Sequence, residues 1–168
     1  MPASTPTPVV RFRAARPADA PLLRRWDDDP YVQASDPNDD WNWVTELTLD
    51  PAWRQQWVAE VDARPIGFVQ IIDAAEEETH YWGDVPPGTW AVDIWIGEPD
   101  ARGHGYGTDM MRQAIDWCFS NASAHTVLVD PLASNTRAHT FYERLGFERV
   151  GPRQFGDDAC VVYALRRL

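Results

Sequence analysis

The run Arg102-Gly103-His104-Gly105-Tyr106-Gly107 stands between two segments of opposite character. Before it comes Trp90-Ala-Val-Asp93-Ile94-Trp95-Ile96, an apolar, strand-like segment with a single carboxylate. After it, Met111, Ile115 and Phe119 recur at helical spacing from Thr108 to Phe119. A strand that feeds a glycine-rich turn opening a helix leaves unpaired backbone N–H groups aimed at one spot. The helix dipole adds partial positive charge there, which suits a phosphate or pyrophosphate. Asp93 is the second candidate for chemistry. A carboxylate among Ala, Val, Ile and Trp is costly unless it is paired, hydrated or used, and such acids at clefts act as proton acceptors.

The turn is no Walker loop, because all 15 basic residues are arginines and the required lysine is absent. It also lies too late in 168 residues for a dinucleotide domain to follow it. It does fit Arg-x-x-Gly-x-Gly, read as Arg102, Gly105 and Gly107. Downstream stands a second motif, Asn135-Thr-Arg-Ala138-His-Thr-Phe141-Tyr142-Glu143-Arg144-Leu-Gly146-Phe147, with a strand-like Thr126–Asp130 between the two. Together they resemble the acyl-CoA signature of the GNAT superfamily of N-acyltransferases, and most of all its aminoglycoside 6'-N-acetyltransferases.

That resemblance implies acetyl-CoA as co-substrate, with its pyrophosphate on Arg102, Gly103, His104, Gly105, Tyr106, Gly107 and Thr108. It implies that the backbone of Ile94, Trp95 and Ile96 faces the pantetheine and the thioester. Asp93 would take the amine proton, and Tyr142 would protonate the departing thiolate. Asn135 would cap its helix, with Ser134 as the rival cap, and touch the CoA arm. The subgroup carries a substrate-holding acid where Asp130 stands, at the same separation from the base as Asp130 has from Asp93. His80, His125 and His139 lack metal-ligand spacing, and no metal is expected.

Charge bears on the acceptor. The formal net charge of −11 makes nucleic acid a poor partner and a polycationic amine a good one. The acids crowd two tryptophan-bearing segments, Tyr31–Asp50 with Asp36, Asp39, Asp40, Trp41, Trp43 and Glu46, and Asp73–Gly88 with Glu77, Tyr81, Trp82 and Asp84. Asp36, Asp39, Asp40, Glu77, Asp84 and Asp130 are the expected ammonium contacts and Trp41, Trp43 or Trp82 the expected sugar platforms, with Tyr81 and Asp93 also expected against the substrate. The same chemistry could serve a hydroxylysine-type amine or a protein N-terminus. A non-catalytic acyl-CoA-binding module could dispense with Asp93 and Tyr142, both of which are present.

The elements that must position these residues read as a mixed α/β fold (α+β) over residues 1–168, with 1–8 as a frayed tail. Strands are expected at Val9–Ala15, Gln55–Val61 and Ile66–Ile72, with a turn at Asp62–Pro65 joining the last two. The motif strand, Thr126–Asp130, Phe147–Gln154 and Ala159–Leu165 follow. One helix begins at Pro17 and is stopped by Asp27-Asp-Asp-Pro30. Resemblance adds that the sheet is mostly antiparallel, flanked by helices, and splayed at a bulge beside the motif strand. No 18-residue apolar run is present, and the N-terminal segment is not expected to be a signal peptide. Cys118 and Cys160 read as buried free thiols of a cytoplasmic protein, a monomer or a homodimer.

Overall fold

A computed structural model describes residues 9–35 and 41–168. Seven strands form one sheet in the order β1-β2-β3-β4-β5-β7-β6. They are β1 (Arg11–Ala14), β2 (Arg54–Val61), β3 (Arg64–Asp73), β4 (Thr89–Ile96), β5 (Thr126–Val129), β6 (Glu148–Phe155) and β7 (Asp158–Arg166). Every pairing is antiparallel except β4 with β5. The helices are α1 (Ala20–Asp27), α2 (Pro30–Ser35), α3 (Trp43–Thr48), α4 (Tyr106–Ser120) and α5 (Thr136–Arg144). Among the described residues, no helix is long and apolar enough to cross a membrane.

Strand parity assigns the two faces. Val69 and Ile71 on β3, with Trp90 and Val92 on β4, pack with Met110, Met111, Ala114 and Cys118 of α4. The alternate residues turn the other way. Phe68 meets Leu23, Trp26, Trp43 and Leu47 of α1 and α3, with Trp95 beside them, while Ala91 joins Trp82, Phe155 and Cys160. Asp93 and Gln70 share this second face because a strand alternates sides with period two. Burying side chains such as Leu23 and Trp43 stabilises each helix by about 1.5–3 kcal/mol per residue.

Beside β5 the expected splay is present. β4 pairs with β5 only through Thr89, Trp90 and Ala91, so Val92–Ile96 have no β5 partner. The β3–β4 ladder alongside runs in unbroken register. Register shifts lie instead at Ala59/Glu60 in β2 and Arg149/Gly151 in β6.

Two local expectations are corrected. The β2–β3 turn is two residues, Asp62 and Ala63, both at positive φ (50° and 62°), and Arg64 and Pro65 already belong to β3. Such a turn matches the strands' right-handed twist. Pro65, which cannot donate to the ladder, sits opposite Glu60 where the register shifts. Pro30 also does more than end a helix: it opens α2, a position where its missing N–H costs nothing. Asp29 Oδ1 caps this start, accepting from the N–H groups of Tyr31 (2.9 Å) and Val32 (3.4 Å).

Candidate active site

The phase of the β4 ladder decides which backbone groups face the splay. Gly97 N–H donates to the Ile66 carbonyl at 2.8 Å, so Trp95 and Asp93 exchange their bonds with β3. Val92, Ile94 and Ile96 therefore turn N–H and C=O toward the β5 side, which is open beyond Ala91. Of the three residues expected to offer backbone here, Ile94 offers both groups to the open side and Ile96 its N–H, the Ile96 carbonyl being held by Arg102. Trp95 instead contributes its side chain, packed at a tilt against Phe68 with ring centroids 4.8 Å apart.

Next to this open edge, Gly103 and Gly105 take φ of 78° and 82°, a region that L side chains resist. A Cβ on either would meet nothing within 4 Å, so the turn presents bare backbone. Gly105 is the N-cap of α4 and no side chain caps it, which leaves the first-turn amides of Tyr106, Gly107 and Thr108 for an outside acceptor. A Cβ on Gly107 would lie 3.6 Å from Ile96 and 3.9 Å from Phe141, so α4 starts between the end of β4 and α5. These features fit a pyrophosphate and the amide-bearing arm of an acyl-CoA. Arg102 braces the turn: Nε and Nη2 donate to the Ile96 carbonyl at 3.2 and 3.0 Å, and Nη2 reaches Asp29 Oδ1 at 3.1 Å. The Tyr31 ring lies 4.0 Å from its guanidinium. His104 is exposed, with Nε2 against the Asp100 carbonyl at 3.0 Å.

A cleft of about 880 Å³ opens on the second face of the sheet. Asp93, Asp130, Tyr142, Tyr81, Trp82, Trp41, Ile94 and Asn135 all line it. Gln70 Nε2 donates to Asp93 Oδ2 at 3.2 Å. Tyr142, on the inner face of α5, is buried. Burial pushes its phenol well above the usual range, and the negative charges of Asp93 and Asp130 push it further, so the hydroxyl keeps its proton. Asn135 caps α5, its side chain accepting from Ala138 N–H at 3.2 Å.

The far wall is aromatic and acidic. The Tyr81 hydroxyl donates to Asp130 Oδ2 at 2.6 Å, and its ring stacks on Phe155 at 4.4 Å. Burial and then the Asp130 charge raise the Tyr81 phenol strongly as well. Glu77 organises this loop. Its Oε1 accepts from Thr79 N–H and hydroxyl at 2.8 and 2.7 Å, and Oε2 accepts from Tyr81 N–H at 3.0 Å. Burial pushes its carboxyl up, but those donors outweigh it and leave it below the usual range.

Some expected substrate contacts are elsewhere. Trp43 is fully buried, donates its indole N–H to Asp27 and stacks under Trp41 at 4.8 Å, so it is core and not a platform. Its place at the start of α3 put a large apolar ring against Phe68 and Trp95. Asp84 is exposed and is not among the residues that line the cleft. Asp36, Asp39 and Asp40 lie outside the described residues.

Gln70 and the side chain of Trp95 belong to the cleft without having been among the expected site groups. A lone amide in the apolar run Ile66–Ile72, at even spacing from Phe68, was the available signal for Gln70.

The strand, turn and helix that bare their backbone beside a splayed sheet, with a helix carrying Asn135 and Tyr142 across the gap, define an acyl-CoA transferase architecture. The model of the acetyltransferase (GNAT) domain matches residues 16–155, and the chain belongs to that family. It is 30% identical over 96 residues to the aminoglycoside N(6')-acetyltransferase type 1 of Klebsiella pneumoniae, which covers 56% of this chain and 48% of that protein. The chain thus spans about half the length of that relative. A kanamycin resistance protein of Rhizobium radiobacter is 32% identical over 76 residues, 45% of this chain and 70% of its own. The crystal structure of aminoglycoside acetyltransferase AAC(6')-Ib with coenzyme A and kanamycin superposes with a TM-score of 0.82 at 24% identity, over 94% of this chain and 95% of that one. At that identity the likeness is one of fold.

Proposed function

We propose that this protein transfers the acetyl group of acetyl-CoA to an amine of a polycationic aminoglycoside, at the 6'-amine, by direct transfer between two bound substrates. The observation that carries the reading is the convergence of Asp93, Asp130 and Tyr142 on one cleft at the splay of β4 and β5. The bare amides of Gly103–Thr108 hold the pyrophosphate, and the open backbone of Ile94 with the N–H of Ile96 pairs with the pantetheine and faces the thioester carbonyl. Asp93 accepts the proton of the attacking amine. Tyr142, held protonated, donates to the leaving thiolate. Asp130 and Tyr81 grip a second ammonium of the same molecule, and Trp41 and Trp82 flank its rings. Bringing amine and thioester together supplies much of the acceleration.

Thiol release from acetyl-CoA tests this reading, measured with kanamycin, tobramycin, a hydroxylysine derivative and an N-terminal peptide. Release with the aminoglycosides and little with the others is expected. Release with the peptide or the hydroxylysine alone would replace the acceptor, and tight CoA binding without any release would replace the enzyme with a binding module.

A further inference from the structure

Three side chains stand in one row across the sheet. Gln56 on β2 lies opposite Gln70 on β3, and Gln70 lies opposite Asp93 on β4. Each pair is also hydrogen-bonded. Gln56 Nε2 donates to Gln70 Oε1 at 2.9 Å, and Gln70 Nε2 donates to Asp93 Oδ2 at 3.2 Å. Gln70 is only 3% exposed, so its amide has little access to bulk water for other partners. Gln70 and Asp93 line the cleft, and Gln56 stands behind them.

Chemistry fixes the direction of this chain whatever the assignment of amide atoms. An ionised carboxylate only accepts, so Gln70 must present its NH2 to Asp93. Its carbonyl oxygen then faces β2 and needs a donor, which Gln56 supplies. With the amide reversed, the Gln70 oxygen would oppose the carboxylate oxygens in a half-buried place, where like partial charges are poorly screened.

We propose that Gln56 is a positioning residue for acyl transfer, holding the Gln70 amide in the one orientation that donates to Asp93. The inference rests on the reading of Asp93 as the proton acceptor. A fixed N–H on Oδ2 aims the carboxylate and favours its ionised form, the form that can take a proton. The other titratable groups of the cleft are Tyr142 from α5, Tyr81, Glu77 and Glu78 from the loop after β3, and Asp130 after β5. Asp158 and Cys160 from β7, Asp50, and the Arg54–Glu46 ion pair are the remaining ones among the described residues. Gln56 is not among the residues that line the cleft, and its hydrogen-bonded link to Asp93 runs through the Gln70 amide.

The test compares Gln56→Glu, Gln56→Leu and Gln56→Lys. Asp93 is titrated through its carboxyl carbon by NMR in the free protein, and kcat is followed against pH with kanamycin. Gln56→Glu sets two acceptors against one NH2. The Asp93 titration is expected to move up by about one pH unit, and kcat at neutral pH to fall about tenfold. Gln56→Leu, which only removes the donor, moves both in the same direction by less. Gln56→Lys restores a donor and is expected to return the titration to the wild-type position or below it. An unmoved Asp93 titration in Gln56→Glu, with melting and CoA binding intact, would overturn the proposal. If Gln56→Glu does not fold, an unmoved titration in Gln56→Leu overturns it equally. The titration needs no acceptor, so a protein that acetylates no aminoglycoside refutes the functional reading while the row is judged separately.

Discussion

The donor side and the acceptor side of this site are built from different material. The donor side is backbone: two glycines at positive φ, the uncapped start of α4, and the β4 edge left open by β5. The acceptor side is side chains gathered from distant parts of the chain, as where Tyr81 meets Asp130 and Phe155. A backbone site demands torsions and bare amides, and it serves one chemically constant ligand. A side-chain site can be altered residue by residue without disturbing the fold. The donor side should therefore be the shared part of the machine and the acceptor side the part that sets what it acts on.

The sharpest way to break this division is Asp93→Asn. Loss of the proposed proton acceptor is expected to lower kcat by about 10²–10⁴-fold while acetyl-CoA affinity, measured by calorimetry, stays within about threefold. Comparable losses in both would mean that Asp93 supports the fold or the donor side. Trp43 and Trp41 sharpen the boundary between core and cleft. Trp43→Ala is expected to cost about 3–5 kcal/mol in denaturant unfolding, whereas Trp41→Ala should act mainly on acceptor KM.

Gly105→Val probes the donor side alone. A β-branched residue at φ 82° is strained by about 1–2 kcal/mol, which predicts roughly tenfold weaker acetyl-CoA binding and an unchanged kanamycin KM at saturating acetyl-CoA. Its mirror is Asp130→Ala, for which a kanamycin KM raised about tenfold is expected, with CoA binding intact. The smallest effect is on stability at high pH. Folded Tyr142 holds its proton more tightly than the unfolded chain does. Its stabilising contribution is therefore complete below about pH 10 and is lost as the pH rises above that. Thermal melts of Tyr142→Phe should show a shallower alkaline decline than the wild type.

The same division governs how much could be read from the chain. Strand β4, the glycine turn, α4 and the Asn135 helix were legible because each carries a local signature: an apolar run, positive-φ glycines, a helical period, a capping side chain. The splay came only with the family resemblance those motifs carry, and the β3–β4 ladder beside it shows no register shift where a bulge was expected. What failed was contact-dependent. Trp41 and Trp43 look alike in sequence and both touch Trp95, but Trp43 also packs edge-on against Phe68 in the cluster with Leu23, Trp26 and Leu47 and is buried. Glu77 reads as one more loop acid until its three hydrogen bonds to Thr79 and Tyr81 are seen. Arg102 reads as a phosphate ligand, yet its partners are the Ile96 carbonyl and Asp29, the latter 73 residues away in sequence.

The most direct measurement of the central claim is the position of the acetyl group on the product. Kanamycin incubated with the protein and acetyl-CoA carrying a ¹³C-labelled acetyl group would be examined by two-dimensional NMR. The account predicts one new amide, coupled to the protons on the 6' carbon, and its near-complete loss with Asp93→Asn. Labelled amide at another nitrogen, or unmodified kanamycin after many equivalents of acetyl-CoA and protein, would contradict it.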